Sequence, residues 1–326
     1  MKAAVHDTFG EPKDILEARD VALPEPGAGE LRVRMTLSPI HNHDIWTVRG
    51  QYGYKPDLPG AIGGSEATGI VDATGAGVDA ALIGQRVAVA GVHGTWAEYF
   101  IAPAAGVLPL PDQISDEMGA QLISMPFSAI SMLDMLKADK GDWIIQTAAN
   151  GAVGRVMAIL AKARGIHLLN LVRRDEAAAE LRAAGIDNVL STSAPDWKDQ
   201  ARAMIGDGRA ISAIDSVGGE ISADLVDLLA SDGELVVFGT ATGAPMPLSS
   251  GALILKQITI KGFWGSRVSA EMAADKRIGL LTELVTLAVQ GTLALDTGGT
   301  YPLDQVRQAM EASLTPGRAG KVMLKP

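Results

Sequence analysis

The turn Thr147-Ala-Ala-Asn-Gly-Ala-Val-Gly154 constrains this chain more than any other feature, because it joins an apolar run at 143–147 to an amphipathic stretch at 153–164. Val156, Ile159, Leu160 and Ala163 recur at helical spacing along that stretch, and Gly165 follows where a helix would need a left-handed residue to stop. Further short apolar runs at 167–172, 188–190, 211–215 and 235–238 alternate with helical patterns at 175–184, 197–205 and 222–229, and a last run at 258–263 ends the series. Strands that alternate with helices need crossovers, so they pair in parallel and are covered on both faces. A doubly wound sheet is therefore expected here.

The sequence before this region has a different texture. Short β-prone runs at 31–35, 67–71 and 85–90 are separated by glycine and proline, which reads as an irregular, mostly β domain. A helical stretch is expected at 117–137; after the sheet, residues 271–289 read as helix and 321–324 as strand. With 326 residues the chain is long enough for two domains. The expected division is 1–118 and 264–326 for the β-rich domain, with 119–263 inserted as the α/β domain.

Composition narrows the function classes. A formal net charge of -10 opposes a nucleic-acid partner, because such binding depends on Lys and Arg displacing counterions from phosphates. The absence of cysteine removes disulfides, thiolate metal ligands and cysteine nucleophiles together. The first ten residues lack the basic head and apolar core of a signal peptide, and no apolar run approaches the roughly 20 residues that span a bilayer. A cytoplasmic enzyme with no membrane partner is expected.

The 147–154 turn departs from the Gly-x-Gly-x-x-Gly fingerprint at Ala149. It keeps Gly151, where backbone must approach a pyrophosphate, and Gly154, where helix and strand must pack closely. Asn150, Gly151, Ala152, Val153 and Gly154 are the candidate phosphate-facing residues, since free N–H groups at a helix start attract anions. About 20 residues further on, where an NAD site carries an acidic ribose ligand, stand Arg173 and Arg174. Guanidinium groups pair with a 2′-phosphate that a carboxylate would repel, so NADPH is expected over NADH. The competing reading makes the two arginines ordinary exposed charges that open the next helix. Ser216-Val-Gly-Gly219 and Phe238-Gly-Thr240 are glycine-bearing turns at the same sheet edge, adding Val217 and Gly239.

Several segments follow one another in the order seen in a known superfamily: Ser38-Pro-Ile-His-Asn-His-Asp44, Gly50-Gln-Tyr-Gly53, Gly63-Gly-Ser-Glu66, Gly94-Thr-Trp96, the Gly151/Gly154 turn and Gly320-Lys-Val-Met-Leu324. The chain resembles the medium-chain dehydrogenases/reductases over nearly its whole length. Ile145-Gln-Thr-Ala-Ala-Asn150, Leu171-Val-Arg-Arg174, Gly262-Phe-Trp264 and Met310-Glu-Ala-Ser313 make it most similar to the zinc-free branch of 2-enoyl-thioester reductases and NADPH:quinone oxidoreductases. The resemblance implies a Rossmann sheet inserted in a GroES-like domain. It adds Ser128, Phe263 and Lys321 to the candidate cofactor-binding residues, Ser128 standing where the branch has a threonine near the nicotinamide.

In the zinc members a Cys, a His after glycine and a second Cys hold catalytic metal; the matching positions here are His41, Ser65 and Met125. A serine and a methionine do not complete a zinc site, so no metal is expected. The resemblance places the enoyl-reductase tyrosine on Tyr52, as hydrogen-bond donor to the thioester carbonyl, with Tyr54 two residues on as its decoy; Trp264 matches an acyl-pocket tryptophan. The branch has Asn-Pro where this chain has His41-Asn42, which leaves two roles open for His41, an extra proton donor or a reshaped pocket. The expected function is NADPH-dependent reduction of an activated C=C bond, most of all in a trans-2-enoyl thioester. Reduction of quinones or alkenals, and NADPH binding without turnover, are the alternatives. A homodimer is expected through residues 258–263, whose apolar edge would otherwise stay open to pairing.

Overall fold

The computed structural model describes every residue except Pro316 and Ala319, and the chain divides into two compact units, Met1–Ser124 with Leu281–Pro326 and Met125–Leu280.

The first unit is built on the strand Glu30–Pro39, in which Leu31, Val33, Met35 and Leu37 point inward at every second position. That alternation buries one face of a strand and leaves the other to solvent. In its sheet the order is Thr297–Pro302, Lys321–Lys325, Glu30–Pro39, Glu66–Thr74, Arg86–Ala90 and Val107–Pro109; Tyr99–Pro103 pairs with Glu30–Pro39 as well. The returning C-terminal strand Lys321–Lys325 meets the first half of the chain through Met323 opposite Pro39 and Leu324 opposite Ser38. A core of Leu31, Val33, Ile45, Val89, Trp96 and Met310 joins the two segments. Trp96 is fully buried and packs on glycines: a Cβ at Gly63 would come within 2.2 Å of its ring, and one at Gly64 within 2.4 Å.

The second unit is a six-stranded parallel sheet ordered Val189–Ser191, His167–Val172, Trp143–Gln146, Ala210–Asp215, Glu234–Val237 and Thr259–Gly262. This is the 3-2-1-4-5-6 order of a dinucleotide-binding sheet. The helix Ala152–Arg164 ends at Gly165, with φ of 70°, as expected. Its buried face is Val156, Met157, Leu160 and Ala161, whereas Ile159 is half-buried and Ala163 exposed. Close approach at Gly154 sets that rotation: a Cβ there would lie 2.7 Å from the Ala149 backbone.

The stretch 117–137 is not one helix but two, Asp116–Gly119 and Ser124–Met135. The backbone N–H groups of Ile123 and Ser124 donate to the Glu66 carboxylate instead of continuing the first helix. Trp264 lies beyond the last strand as the N-cap of the helix Gly265–Glu271. The helix Ser250–Lys256, which precedes the last strand, was not expected from its sequence.

Candidate active site

In the first unit the chain leaves Pro39 and turns into the helix Asn42–Val48 through His41. The Asp44 carboxylate accepts the His41 N–H at 2.9 Å and so holds the start of that helix. His41 and Glu66 are both fully buried, with Nε2 of one 2.6 Å from Oε2 of the other. Burial holds the His41 imidazole well below its ordinary range, so the ring is neutral. Burial also pushes the Glu66 carboxyl up to about 7, against the Ser124 and Ile123 N–H groups that favour its charged form. Nδ1 of His41 is buried without a hydrogen-bond partner.

His43 faces the other way. Its Nε2 is 2.7 Å from the Ser65 hydroxyl, and that hydroxyl donates to Oδ1 of Asp44 at 2.6 Å. The ring stacks on His41 with centroids 4.9 Å apart and lies 5.7 Å from the Tyr52 ring at a tilt of 31°. About a quarter of the His43 side chain is exposed (24 %), while Asp44 is buried. Tyr54 stands apart from this row, stacked on His93 at 3.6 Å and nearly parallel. Lys321 is buried in the same unit, and desolvation together with neighbouring Arg318 lowers its ammonium to about 8, against Asp44 and Glu66.

Among the residues expected to be catalytic, the first unit thus groups Tyr52 with His43 and Asp44, and places His41 behind them, away from solvent. In the sequence Asp44 and Glu66 stand out only within their motifs, and Ser65 as the counterpart of a metal ligand. Their signal was present: a glutamate that opens the apolar run 66–71 and an aspartate in the first turn of a helix are costly to bury unless paired.

In the second unit the turns after Trp143–Gln146 and Glu234–Val237 bring backbone close to backbone at a glycine. A Cβ at Gly151 would lie 3.2 Å from the Ala148 carbonyl oxygen, and one at Gly239 would lie 2.6 Å from that of Ser216. Gly151 caps the helix Ala152–Arg164 without a side chain, and no acid stands in its first turn, so Ala152, Val153 and Gly154 open a helix end suited to an anion. Asn150 is exposed in the turn, and its carbonyl receives the Arg155 side chain. Arg173 and Arg174 are exposed at the end of His167–Val172, and neither guanidinium has a hydrogen bond or ion pair among the described residues. Buried Asp215, not anticipated as a site residue, accepts the N–H groups of Val217 and Gly218 and the hydroxyls of Thr147 and Ser222, and so shapes the Val217 turn. Phe263 is buried edge-on to Phe238, whereas Trp264 is about half exposed (53 %). Ser128 packs against the start of the helix after Trp264: a Cβ at Gly265 would come within 2.9 Å of its hydroxyl. This turn, its glycines and the uncapped helix fit a dinucleotide.

A GroES-like β unit and a Rossmann unit in one chain define the class of two-domain dehydrogenases and reductases. The family model for the alcohol dehydrogenase GroES-like domain matches residues 27–112, and that for zinc-binding dehydrogenases matches residues 152–278. Human mitochondrial enoyl-[acyl-carrier-protein] reductase is 30% identical over 333 aligned residues, covering 99% of this chain and 88% of the relative. The chain belongs to the medium-chain dehydrogenase/reductase superfamily. A mycobacterial quinone oxidoreductase superposes with a TM-score of 0.86 at 26% identity, and a second mycobacterial structure, a complex with NADPH, gives the same values; each comparison covers 100% of both chains. Among the described residues no helix is long and apolar enough to cross a membrane.

The zinc implied by the name of one family model does not fit the donors at the matching positions. His41 has its Nε2 engaged by Glu66, the Ser65 hydroxyl lies between His43 and Asp44, and Met125 offers a thioether. Among the described residues no three His, Cys, Asp or Glu side chains are arranged to hold a metal ion.

Proposed function

We propose that this protein is an NADPH-dependent reductase of activated C=C bonds, acting on trans-2-enoyl thioesters without a metal. The observation that carries the reading is the 30% identity to an enoyl-[acyl-carrier-protein] reductase over 99% of the chain, together with a tyrosine at the position of that branch's donor. Exposed Arg173 and Arg174 favour a cofactor with a 2′-phosphate, and the Gly151–Gly154 helix start would hold its pyrophosphate. Bound NADPH supplies the hydride that reaches the β-carbon. Tyr52 donates its hydroxyl to the thioester carbonyl, stabilises the enolate that forms there, and passes its proton to the α-carbon. Ser128 orients the nicotinamide carboxamide, Trp264 lines the acyl site, and His41 acts from its buried place by holding Glu66 and the ring of His43. Lys321 adds a cation close to Asp44 and Glu66.

A homodimer joined through the exposed outer strand Thr259–Gly262 belongs to the same reading, because that strand has a free edge beside exposed Ile254 and Leu255. Quinone reduction is the second reading, favoured by the likeness to the mycobacterial quinone oxidoreductase at 26% identity. Oxidation of NADPH with enoyl thioesters, quinones and alkenals, measured side by side, tests the proposal. Enoyl thioesters are expected to turn over fastest. Faster turnover of quinones would hand the function to the second reading, and no turnover of any acceptor would leave a nucleotide-binding protein.

A further inference from the structure

The segment that would carry metal ligands in a zinc-binding dehydrogenase is organised here as a row of hydrogen bonds. Asp44 accepts the Ser65 hydroxyl at 2.6 Å, the Ser65 oxygen lies 2.7 Å from Nε2 of His43, and the His43 ring lies 5.7 Å, centroid to centroid, from that of Tyr52. The Asp44 carboxylate is buried and its second oxygen is engaged by the His41 N–H, so its orientation is set by the backbone. His43 in turn is backed by the stacked ring of His41, which Glu66 immobilises. The His43 imidazole, partly exposed, thus lies between a tyrosine ring and a hydroxyl–carboxylate pair, with one side open to solvent and the other held by hydrogen bonds.

We propose that His43 is a positioning and proton-relay residue that re-protonates Tyr52 during each turnover. The inference rests on the reading of Tyr52 as donor to a reduced enoyl thioester. With the hydride on the β-carbon, a C–H bond forms at the α-carbon as the Tyr52 O–H bond breaks, which leaves a tyrosinate. The His43 imidazolium gives that oxygen the proton of the nitrogen not held by Ser65 and becomes neutral imidazole. Its Nε2–H remains on Ser65, whose own hydroxyl stays on Asp44. A proton from water then restores the imidazolium, so each cycle consumes one hydride and one solvent proton. In this account the Ser65 position holds the relay imidazole in place of a metal ion.

The test compares the parent enzyme with His43→Gln, His43→Ala and Ser65→Ala, by steady-state kinetics with NADPH and an enoyl thioester, thermal melting, and kinetics in deuterated water. His43→Gln is expected to lower kcat about 100-fold, in the range typical for loss of a positioned acid–base group. The KM for NADPH and the melting temperature are expected to stay close to those of the parent. The solvent isotope effect on kcat should rise, and added imidazole should restore turnover to His43→Ala. Ser65→Ala, which keeps the imidazole but removes its link to Asp44, should lose less than His43→Gln. A His43→Gln enzyme within threefold of an active parent, or a folded His43→Ala enzyme that imidazole does not rescue, overturns the relay alone. A parent that leaves the thioester unreduced overturns the relay together with the substrate reading.

Discussion

Nε2 of His41 and Oε2 of Glu66 lie 2.6 Å apart with both side chains fully buried, and the other Glu66 oxygen holds the Ile123 and Ser124 N–H groups at 2.8 Å. One carboxylate thus ties the strand Glu66–Thr74 to the segment that joins Asp116–Gly119 to Ser124–Met135 and to the start of the helix Asn42–Val48. Removal of one partner of such a pair strands the other. Glu66→Ala takes the partner from the His41 ring and from the Ile123 and Ser124 N–H groups, and is expected to destabilise the protein by about 1–3 kcal/mol for each polar group left unsatisfied. Glu66→Gln keeps an oxygen for the two N–H groups and should cost clearly less. Urea midpoints for the two variants check this, and equal losses would refute the assigned role of the loop contacts.

Gly64 has φ of +90°, and a Cβ there would meet the Thr95 hydroxyl and the Trp96 ring at 2.4 Å. Trp96 is fully buried, so neither it nor the backbone can give way cheaply. Gly64→Ala is expected to lose more than about 3 kcal/mol from overpacking and left-handed strain combined. Gly77→Ala, also at positive φ but with open space around its Cβ, should lose much less. Chemical denaturation of both variants separates packing from backbone strain.

Lys321 carries a pH dependence whose sign is fixed by its environment. Burial, with Arg318 nearby, lowers its folded-state pKa from 10.5 to about 8. The depressed value means that folding favours the neutral amine. This contribution is fully present above the unfolded-state value and is lost as pH falls toward 8. Between pH 8 and 10.5 the parent should therefore gain stability relative to Lys321→Met, by on the order of 2–3 kcal/mol in total. Melting curves across that range, read as the difference between the two proteins, check the slope.

Arg173 and Arg174 stand exposed at the end of His167–Val172, with no competing partner among the described residues. Charge-assisted contacts to a phosphate contribute about 1.5–3 kcal/mol each. Arg173→Ala should weaken NADPH binding roughly 10- to 100-fold and leave NADH nearly unaffected. Equal losses for both nucleotides, measured by fluorescence titration, would remove the 2′-phosphate assignment.

Tyr52 is the proposed donor at the developing oxyanion, and Tyr52→Phe deletes only its hydroxyl. Loss of one such donor lowers turnover by about 100- to 1000-fold in comparable sites. Tyr54→Phe should be much milder, because Tyr54 is stacked on His93 and is not part of the row of His43 and Asp44. Turnover of an enoyl thioester by the two variants, with NADPH affinity as control, decides the assignment. A Tyr54→Phe enzyme weaker than Tyr52→Phe would exchange their roles.

Local pattern by itself determined the strands and most helices of the Rossmann half, though not the helices Ser250–Lys256 and Gly265–Glu271. Strand runs such as His167–Val172 and helices such as Trp197–Ile205 appear at their expected bounds, because apolar periodicity over a few residues already states which face must be buried. The Gly151/Gly154 turn and Gly165 were equally legible, since each answers to the geometry of its own neighbours. The division of 117–137 into two helices was not legible. It depends on Glu66, more than fifty residues earlier, which takes the N–H groups that a continuous helix would have used. The contrast between neighbouring histidines was decided in the same way. His41 and His43 are two residues apart and chemically identical, yet one is fully buried against Glu66 and the other is partly exposed against Ser65 and Asp44. A sequence states which groups are costly to bury; only the tertiary fold brings the distant partner that offsets the cost, and that partner sets the protonation and the role.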